Sequence, residues 1–460
     1  METDRGTPAA AIERATVESF RASLRGELVV PGDERYDAAR RIYNAMIDKH
    51  PALIVRCAGV ADVIRAIHLA RDNGLQVAVR GGGHNVAGNA VCDDGMVIDL
   101  SCMKGTRVDP VRRTIRVEGG VTWGELDREA EAFGLATTGG LISTTGVAGL
   151  TLGGGCGWLM RKYGLACDNL LSADVVTADG QLRIAGEGQD EDLFWAIRGG
   201  GGNFGVVTSF EYRLRPVGPV LGGMVAYPLA RARDVLRFYR EFTAAAPDEL
   251  TAFAVFVTSP EGPVVAILLC YCGSLAEGEA VLRPLREFGP PALDTIAAVP
   301  YTTIQTMLDA AFPPGLFHYW RSSFLKQLSD DAIDTVAELF ARVPSPLSGI
   351  AIEHLGGAVG RVGEQETAFS QRGAQYDFLA MSIWPDATES ESNMEWMRQL
   401  TQAMAPFLAS GVYVNYLGVG EGEARVRAAY GANYERLVAL KNRYDPTNFF
   451  RMNHNIPPTV

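Results

Sequence analysis

The sequence predicts an α+β protein of two domains, and three regions of different residue pattern along its 460 residues indicate this fold. Up to Pro216, short apolar strands alternate with helices and with glycine-rich loops. After Pro216 the glycine clusters disappear, and long apolar strands alternate with amphipathic helices, as in an antiparallel sheet covered by helices. From Tyr413 onwards the texture changes again, to a helix and an asparagine-rich tail. A chain of this length can bury a large core without disulfides or metals.

The composition excludes several classes of protein. With 21% charged and 47% hydrophobic residues, the chain has the usage of a folded protein and not of a disordered one. The 42 basic and 54 acidic residues leave a net charge of −12, which argues against nucleic acid or an anionic membrane as a partner. No apolar run approaches the ~20 residues of a membrane helix, and the polar N-terminus lacks a signal-peptide pattern. We therefore expect a cytoplasmic protein that binds neither nucleic acid nor membrane.

The seven cysteines do not suggest a disulfide framework or a metal site. Their number is odd, no C-x-x-C spacing occurs, and large cytoplasmic chains seldom form disulfides. We expect most of them to be small buried side chains, and we predict no metal site.

The first predicted elements form a strand–helix–strand unit. Residues 52–57 and 76–80 are short and apolar, as strands are. Between them, residues 61–73 carry apolar side chains on one helical face, and Gly74 ends that helix. A further strand follows at 96–100.

The next predicted elements surround the second and third glycine loops. Thr122 and Glu125 have the spacing of a capping box, so a helix should begin there. Residues 137–157 contain eight glycines, too many for a packed helix or strand, because glycine loses the most entropy on ordering. Residues 173–185 are predicted to form a hairpin, and 191–214 a short helix, a glycine loop and a long strand.

The second part of the chain predicts the antiparallel sheet. Its apolar runs have the length of strands and alternate with amphipathic helices such as 330–343. The predicted strands are 251–257, 263–272, 316–324, 349–355 and 376–384. In the C-terminal stretch, residues 413–417 are predicted to form a short strand and 433–444 a helix.

Three glycine-rich loops, at 81–88, 139–157 and 199–205, are the main candidates for a binding site. Successive backbone N–H groups in such loops form a concave anion site that suits a diphosphate. The alternative is three ordinary turn clusters. Neither the Rossmann nor the P-loop glycine spacing is present. His84 follows the glycines of the first loop, where its ring could reach a bound cofactor or form only surface hydrogen bonds.

Several long motifs resemble those of the berberine-bridge-enzyme-like FAD-linked oxidases, in the vanillyl-alcohol-oxidase superfamily. They are RGGGHNVAGNAVCDDGMVIDLS, GGVTWGELD, GGGCGWLMRKYGLACDNL, LFWAIRGGGGNFGVVTSF, YVNYLG and RYDPTNFFRMNHNI. The resemblance extends from about residue 28 to 458 and is strongest to a bacterial subgroup similar to 6-hydroxy-D-nicotine oxidase and the enterocin-pathway favorskiiase. It implies a two-domain PCMH-type FAD-binding fold with an α/β substrate domain built on an antiparallel sheet.

The resemblance also implies domain boundaries. Residues 1–217, with the PCMH-type part at about 47–217, would form the FAD-binding domain. Residues 218–411 would form the substrate-binding domain over the flavin. Residues 412–460 would be the segment typical of the family that completes the FAD domain.

By the same resemblance, FAD is the expected cofactor, bonded through its 8α-methyl group to the ring of His84. The other residues expected to contact it are Arg80, Gly81, Gly82, Gly83, Asn85, Gly88, Thr144, Gly146, Gly149, Gly153, Gly154, Gly155, Asn203, Val207, Asn453 and Asn455. Family members with a second covalent link carry a cysteine where this chain has Ile142, so a single link is expected. Cys156 stands where relatives have Phe or Tyr and is a candidate substrate contact.

Oxidation by a flavin requires a group that accepts the O–H or N–H proton of the substrate. Tyr416 matches a family tyrosine that acts as base or hydrogen-bond partner; the alternative is a core aromatic side chain. A free tyrosine has a pKa of ~10, which would have to be lowered for Tyr416 to act as a base at neutral pH. Glu353 could be a base, or could pair with Arg321 or Arg372, because a buried carboxylate needs a partner. Thr145 matches a position that influences oxygen access, or it satisfies local backbone groups.

Two strands carry further candidates for contact with the substrate. Tyr319, Arg321 and Ser323 alternate onto one face of the strand 316–324, so they contact the substrate or have solvated and structural roles. His354 is another candidate, although the alternation of a strand puts it on the face opposite Glu353.

The resemblance implies an oxidase that transfers a hydride from a small alcohol, amine, sugar or polyketide to flavin N5, with O2 as acceptor and H2O2 as product. The alternatives are a flavin-oxygenating monooxygenase of the favorskiiase type in secondary metabolism, a dehydrogenase that reacts poorly with O2, and a non-catalytic binding protein. The expected partners are the small-molecule substrate and O2. The protein is expected to be a monomer or a homodimer.

Overall fold

The computed structural model describes residues 13–460, and its N-terminal part contains a small, mostly parallel sheet. The elements are α1 (Arg14–Ser23), β1 (Glu27–Val29), α2 (Tyr36–Arg40), β2 (Leu53–Arg56), α3 (Val60–Asp72), β3 (Val77–Arg80) and β4 (Met96–Asp99). The strand order is β1-β2-β4-β3, with β2, β4 and β3 parallel. Helix α3 packs Val63, Ile67 and Ala70 against this sheet. The predicted strand–helix–strand unit is confirmed, and the first glycine loop follows β3 directly.

A five-stranded antiparallel sheet follows. The elements of this part are β5 (Thr106–Asp109), β6 (Thr114–Glu118), α4 (Trp123–Glu131), β7 (Leu135–Ala136), α5 (Val147–Leu152), α6 (Met160–Tyr163), β8 (Leu170–Val176), β9 (Leu182–Gly186), α7 (Glu191–Ala196), β10 (Val206–Arg213) and β11 (Arg215–Pro216). The sheet has the order β5-β6-β10-β8-β9. The predicted capping box is present, with Glu125 accepting the Thr122 N–H at 2.8 Å. Strands β8 and β9 form the predicted hairpin.

The second glycine stretch differs from the expectation that it contains no packed helix. Helix α5 lies inside it and buries Val147, Thr151 and Leu152 in the core of the five-stranded sheet. The helix is possible because most glycines of the stretch lie before or after it, and only Gly149 falls within its six residues. The stretch therefore places a helix beginning beside the first glycine loop.

The large sheet draws all its strands from residues 220–384. The elements are β12 (Val220–Pro228), α8 (Ala232–Ala244), β13 (Leu250–Ser259), β14 (Gly262–Tyr271), α9 (Leu275–Glu287), β15 (Leu293–Asp294), β16 (Ala297–Val299), α10 (Tyr301–Gln305), β17 (Phe317–Phe324), α11 (Asp330–Phe340), β18 (Gly349–His354), α12 (Ala358–Arg361), β19 (Tyr376–Trp384) and α13 (Ser390–Met404). The order is β15-β12-β14-β13-β18-β19-β17, all antiparallel. Helices α8, α11 and α13 cover one face, and the other face meets the glycine-rich part of the chain.

The C-terminal stretch returns to the five-stranded sheet. Helices α14 (Glu423–Tyr430) and α15 (Tyr434–Tyr444) bury Val426, Tyr430 and Leu437 in its core. The predicted strand at 413–417 is wrong, because Val414–Tyr416 form a 3-10 turn. No helix within residues 13–460 is long and apolar enough to cross a membrane.

Candidate active site

The three glycine loops form one cradle. A Cβ atom on Gly82 would lie well under 3.0 Å from the backbone of Gly146, so the first and second loops approach each other in a way that only glycine permits. A groove lies beside them. Its walls include Gly81, Asn85, Gly149, Gly202, Val207 and Asn453. Five of these six residues were predicted from the sequence, and the third loop contributes Gly202.

Other predicted residues shape the loops without lining this groove. Gly83 and Gly88 have positive φ angles of 71° and 79°, which L side chains seldom adopt. The Arg80 guanidinium donates to Asp99 at 2.7 Å, so its charge is already paired. In the second stretch, a Cβ on Gly153 would collide with the side chain of Asn415.

Gly154 and Gly155 form a bend that holds the C-terminal segment. Both have positive φ angles, of 123° and 96°. The N–H of Gly155 donates to Tyr413 Oη at 2.8 Å, and the N–H of Cys156 approaches the same oxygen at 3.3 Å. This contact brings the second glycine stretch against the turn that carries Tyr416.

His84 lies where the first loop meets the second. Its Nε2 atom is 2.9 Å from Thr144 Oγ1, and its Nδ1 atom is 3.4 Å from Thr145 Oγ1. Its ring stacks on Tyr43 at a centroid distance of 4.3 Å. Burial lowers the pKa of His84 to about 4, against the opposing charge of Asp309. The imidazole is therefore neutral at physiological pH and retains a nucleophilic ring nitrogen.

The asparagine-rich tail closes the groove from the C-terminal side. Buried Asn203 donates from Nδ2 to the carbonyl of Gly200 at 2.9 Å and to that of His454 at 3.2 Å, so it joins the third loop to the tail. Asn453 Oδ1, His454 Nε2 and Asn455 Oδ1 are buried without a hydrogen-bond partner. Burying a polar atom without a partner is costly, so these atoms point to a bound group.

Tyr416 and Glu353 form a hydrogen-bonded pair of ionisable side chains. Tyr416 Oη donates to Glu353 Oε1 at 3.0 Å, and Glu353 is buried on β18. Burial raises the pKa of Glu353 to about 7, although the hydrogen bond from Tyr416 opposes this shift. Burial and the charge of Glu353 raise the pKa of Tyr416 well above its usual value. Glu353, and not Tyr416, can therefore exchange a proton near neutral pH.

Neither arginine considered as a partner for Glu353 pairs with it. Arg372 forms a buried ion pair with Asp168 at 2.7 Å. The Arg321 guanidinium lies over the ring of Tyr319, 4.1 Å from its centroid, and donates to backbone carbonyls. Glu353 Oε2 consequently remains buried and unpartnered.

Asp377 is a second carboxyl group beside Glu353 that sequence reasoning missed. It lies directly opposite Glu353 in the pairing of β18 and β19, and it accepts a hydrogen bond from Ser322 Oγ at 3.0 Å. Burial, followed by the charge of Glu353, raises its pKa well above the usual value. Its signal in the sequence was a carboxylate within the apolar run YDFLAMSIW.

The prediction for strand β17 selected the wrong face. Trp320 is directly opposite Met381, and both pack in the small apolar cluster that also contains Tyr416. Tyr319 packs instead with the core beneath the helices, on the other side of the sheet. Because side chains alternate along a strand, Arg321 and Ser323 share that outer face with Tyr319. The inward residues of β17 are His318, Trp320 and Ser322.

The two remaining substrate candidates lie in different environments. His354 contacts the Arg161 guanidinium at 3.3 Å and the ring of Tyr376, on the face away from Glu353, so it does not join the site. Cys156 is buried beside the site, and burial together with the nearby charge of Glu353 raises the pKa of its thiol. Its contact with a substrate stays a prediction.

Known proteins share this architecture. Residues 51–186 match the FAD binding domain family, and residues 412–457 match the berberine and berberine-like family. An FAD-linked oxidoreductase of Dictyostelium discoideum is 33% identical over 447 residues, which cover 96% of this chain and 97% of that protein. The chain belongs to the berberine bridge enzyme-like FAD-linked oxidoreductases.

A further sequence similarity and a structural similarity agree with this assignment. The (R)-6-hydroxynicotine oxidase of Paenarthrobacter nicotinovorans is 33% identical over 454 residues, covering 95% of this chain and 97% of that protein. The crystal structure of 6-hydroxy-D-nicotine oxidase from Arthrobacter nicotinovorans has a TM-score of 0.87 at 31% identity, covering 94% of this chain and 98% of that one. The chain therefore has the α+β, PCMH-type fold of an FAD-dependent oxidoreductase.

The groove of this berberine bridge enzyme-like protein fits FAD. The loops have no room for a side chain at Gly82. Their backbone N–H groups can therefore come close to a bound diphosphate. The unpartnered oxygens of Asn453 and Asn455 and the unpartnered His454 Nε2 offer polar contacts to a heterocycle and a sugar-alcohol chain.

Proposed function

We propose that the protein is an oxidase with one covalent link between His84 and FAD, acting on a small organic substrate with O2 as acceptor. The observation that carries the proposal is the buried pair of Glu353 and Tyr416. Ring contacts through Trp320, His318 and Tyr43 connect this pair to His84. Bound FAD would supply the hydride acceptor and the reaction with O2 that yields H2O2.

The covalent link rests on the surroundings of His84. The ring is neutral and is held by Thr144 on one nitrogen and by Thr145, at longer range, on the other. Tyr43 stacks on one side and fixes its plane. At Ile142, the position of the second link in related enzymes, the side chain has no nucleophile. A single link through His84 follows.

Glu353 is the proposed base. A carboxylate with a pKa of about 7 has the basicity that general-base catalysis favours at neutral pH. Tyr416 donates a hydrogen bond that stabilises the ionised form, and Glu353 Oε2 remains available to the O–H or N–H of a substrate. Removing that proton as the hydride departs avoids a high-energy cation. We propose that Thr145, near His84, influences how O2 reaches the flavin.

The link is tested by precipitating the purified protein with acid. Yellow colour retained in the pellet supports the bond to His84, and FAD released quantitatively into the supernatant contradicts it. The variant His84→Ala should release its FAD. The control His68→Ala, on α3 and outside the residues that line the groove or surround His84, should keep it.

The reaction class is tested by measuring how fast O2 reoxidises the chemically reduced enzyme. Rapid reoxidation with stoichiometric H2O2 supports an oxidase. Slow reoxidation by O2 with rapid reoxidation by an artificial acceptor would indicate a dehydrogenase. A stable oxygenated flavin spectrum would indicate a monooxygenase.

A further inference from the structure

A continuous row of aromatic side chains, two of them on the inward face of the large sheet, runs between His84 and Glu353. Tyr43 stacks on His84, and His318 lies next along the row, at 4.8 Å from Tyr43. Trp320 follows at 5.8 Å from His318, and Tyr416 at 6.2 Å from Trp320, both with edge-to-face geometry. The row spans the distance between the proposed cofactor link and the proposed base.

The surface around this row is apolar. Ala351, Leu379, Met381 and Ile383 form a cluster on the same face, and Trp320 and Tyr416 pack against it. A sugar ring presents hydroxyl groups around its whole edge, and each buried hydroxyl needs a partner. This wall cannot supply that many partners.

Four polar atoms on this face are buried without a partner. They are both ring nitrogens of His318, Nε1 of Trp320 and Oε2 of Glu353. Native proteins seldom leave buried polar atoms unsatisfied, and a group of four on one face indicates a ligand that completes them. Burial lowers the pKa of His318 to about 4, so its ring is neutral and offers one donor and one acceptor. Trp320 is a donor only.

The carboxyl groups of the site disfavour anionic substrates. Glu353 and Asp377 are adjacent buried carboxyl groups, and within residues 13–460 neither forms an ion pair with a lysine or arginine. An anion placed here would meet a carboxylate, whereas the cation that acts on Asp377, Arg425, is already paired with Glu421 at 2.8 Å. Such a placement is unfavourable in a buried site.

We propose that the substrate is a compact aromatic compound with an amine or hydroxyl on the carbon that is oxidised, and that Trp320 and His318 determine specificity by binding a polar ring substituent. This inference rests on the oxidase function proposed above. The C–H bond would break with its electron pair passing as hydride to the flavin, the N–H or O–H proton would pass to Glu353, and C=N or C=O would form. Oxidised flavin is the oxidant, and O2 restores it.

The test compares matched probes with the FAD-loaded enzyme. Benzyl alcohols and benzylamines carry either a ring acetyl group, which accepts a hydrogen bond, or the isosteric isopropenyl group, which does not. Cyclohexylmethanol, glucose and chitobiose complete the panel, with H2O2 release as the readout. We expect acetyl-substituted probes to have the highest kcat/KM, and the alcohol and amine arms identify which group the enzyme oxidises.

The variant Trp320→Phe keeps the ring and removes the N–H. It should raise KM for the acetyl probe about 3- to 10-fold while leaving KM for the isopropenyl probe nearly unchanged. The variant His318→Phe removes the two ring nitrogens of His318 from the same face and so tests the polar contacts a second time. The control Trp396→Phe makes the same change on α13, where the indole donates to the carbonyl of Leu339 on the other side of the sheet. It should alter neither constant.

Binding of acetophenone, which the enzyme cannot oxidise in this way, is measured by calorimetry. Acetophenone binding without H2O2 from any probe would contradict the proposed oxidase function and leave the aromatic site supported. Higher kcat/KM for glucose, chitobiose or cyclohexylmethanol than for the aromatic probes would overturn the inference. An equal effect of Trp320→Phe on both substituted probes would overturn the role of its N–H.

Discussion

The hydrogen bond from Tyr416 to Glu353 gives a prediction about the pH dependence of catalysis. If Glu353 is the base, kcat/KM should rise with pH as its carboxyl group loses a proton, with a midpoint near its pKa of about 7. Tyr416 donates to the ionised carboxylate at 3.0 Å and so lowers that pKa. Tyr416→Phe removes this donor, and the acidic limb of the profile should move to higher pH.

The size of the shift follows from the strength of that bond. A hydrogen bond to a charged group contributes about 1.5–3 kcal/mol, and about 1.4 kcal/mol corresponds to one pKa unit. Glu353 is buried and Tyr416 supplies its one hydrogen bond, so little solvent compensation is available. We expect the limb to move up by about one to two pH units.

The assay is kcat/KM against pH with an uncharged substrate, so that only the enzyme titrates. Tyr376→Phe is the matched control, because that hydroxyl bonds to Thr243 on the helix-covered face of the same sheet. Its profile should keep the midpoint of the parent enzyme. A limb that stays in place in Tyr416→Phe, or moves to lower pH, would refute the assignment of Glu353 as a base tuned by Tyr416.

Three further substitutions test burial and packing. Burial raises the pKa of Asp127, and both of its carboxyl oxygens lack a hydrogen-bond partner. The folded protein therefore keeps the proton of this group at a pH where the unfolded chain has already lost it. The free energy of unfolding consequently falls as the pH rises above the pKa of Asp127 in the unfolded chain. Asp127→Asn should therefore raise the free energy of unfolding by about 1–3 kcal/mol at pH 7, with less gain near pH 4, measured by urea denaturation. Arg372→Ala leaves the buried carboxylate of Asp168 without its ion-pair partner and should lower the free energy of unfolding by about 3–5 kcal/mol in the same assay. Gly82→Ala forces a Cβ into the backbone of Gly146 and should purify with little flavin absorbance.

Each of these expectations has an outcome that contradicts it. The exposed pair of Arg342 and Glu338 serves as the control for Arg372, and Arg342→Ala should cost less than about 1 kcal/mol. An equal loss in the two arginine variants would mean that burial does not strengthen the inner pair. Gly218→Ala has open space around its new Cβ and should retain full flavin. Loss of stability in Asp127→Asn would show that this carboxyl group has a favourable role in the fold.

Local sequence patterns predicted the cradle because its determinants are local. The strand before Gly81, the helix that Gly74 ends, and the capping box at Thr122 each depend on a few neighbouring residues. The run from residue 413 to 417 was misjudged for the opposite reason. Its apolar alternation suits a strand, but Tyr413 is held by the backbone of Gly155, and the tertiary contact turns the chain into a 3-10 helix.

The inward face of β17 could not be chosen from the sequence. Side chains alternate along the strand, so Tyr319 lies on one face and Trp320 on the other. Each face carries side chains that could bind a substrate. Only the register, with Trp320 opposite Met381, decides which set meets the site. Asp377 was missed for the same reason, since its importance depends on lying opposite Glu353 in a neighbouring strand.

The proposed base is tuned by a contact between two parts of the chain. Glu353 belongs to the large sheet, whereas Tyr416 belongs to the C-terminal stretch that packs on the cofactor-binding part. That stretch is fixed by buried Lys441, which donates to Asp445 and to the carbonyl of Asn203 in the third glycine loop. The bond from Tyr416 opposes the increase in the pKa of Glu353 that burial causes, so the position of this stretch affects the proton affinity of the carboxyl group. The basicity of the proposed base therefore depends on a contact between the large sheet and the stretch that completes the cradle.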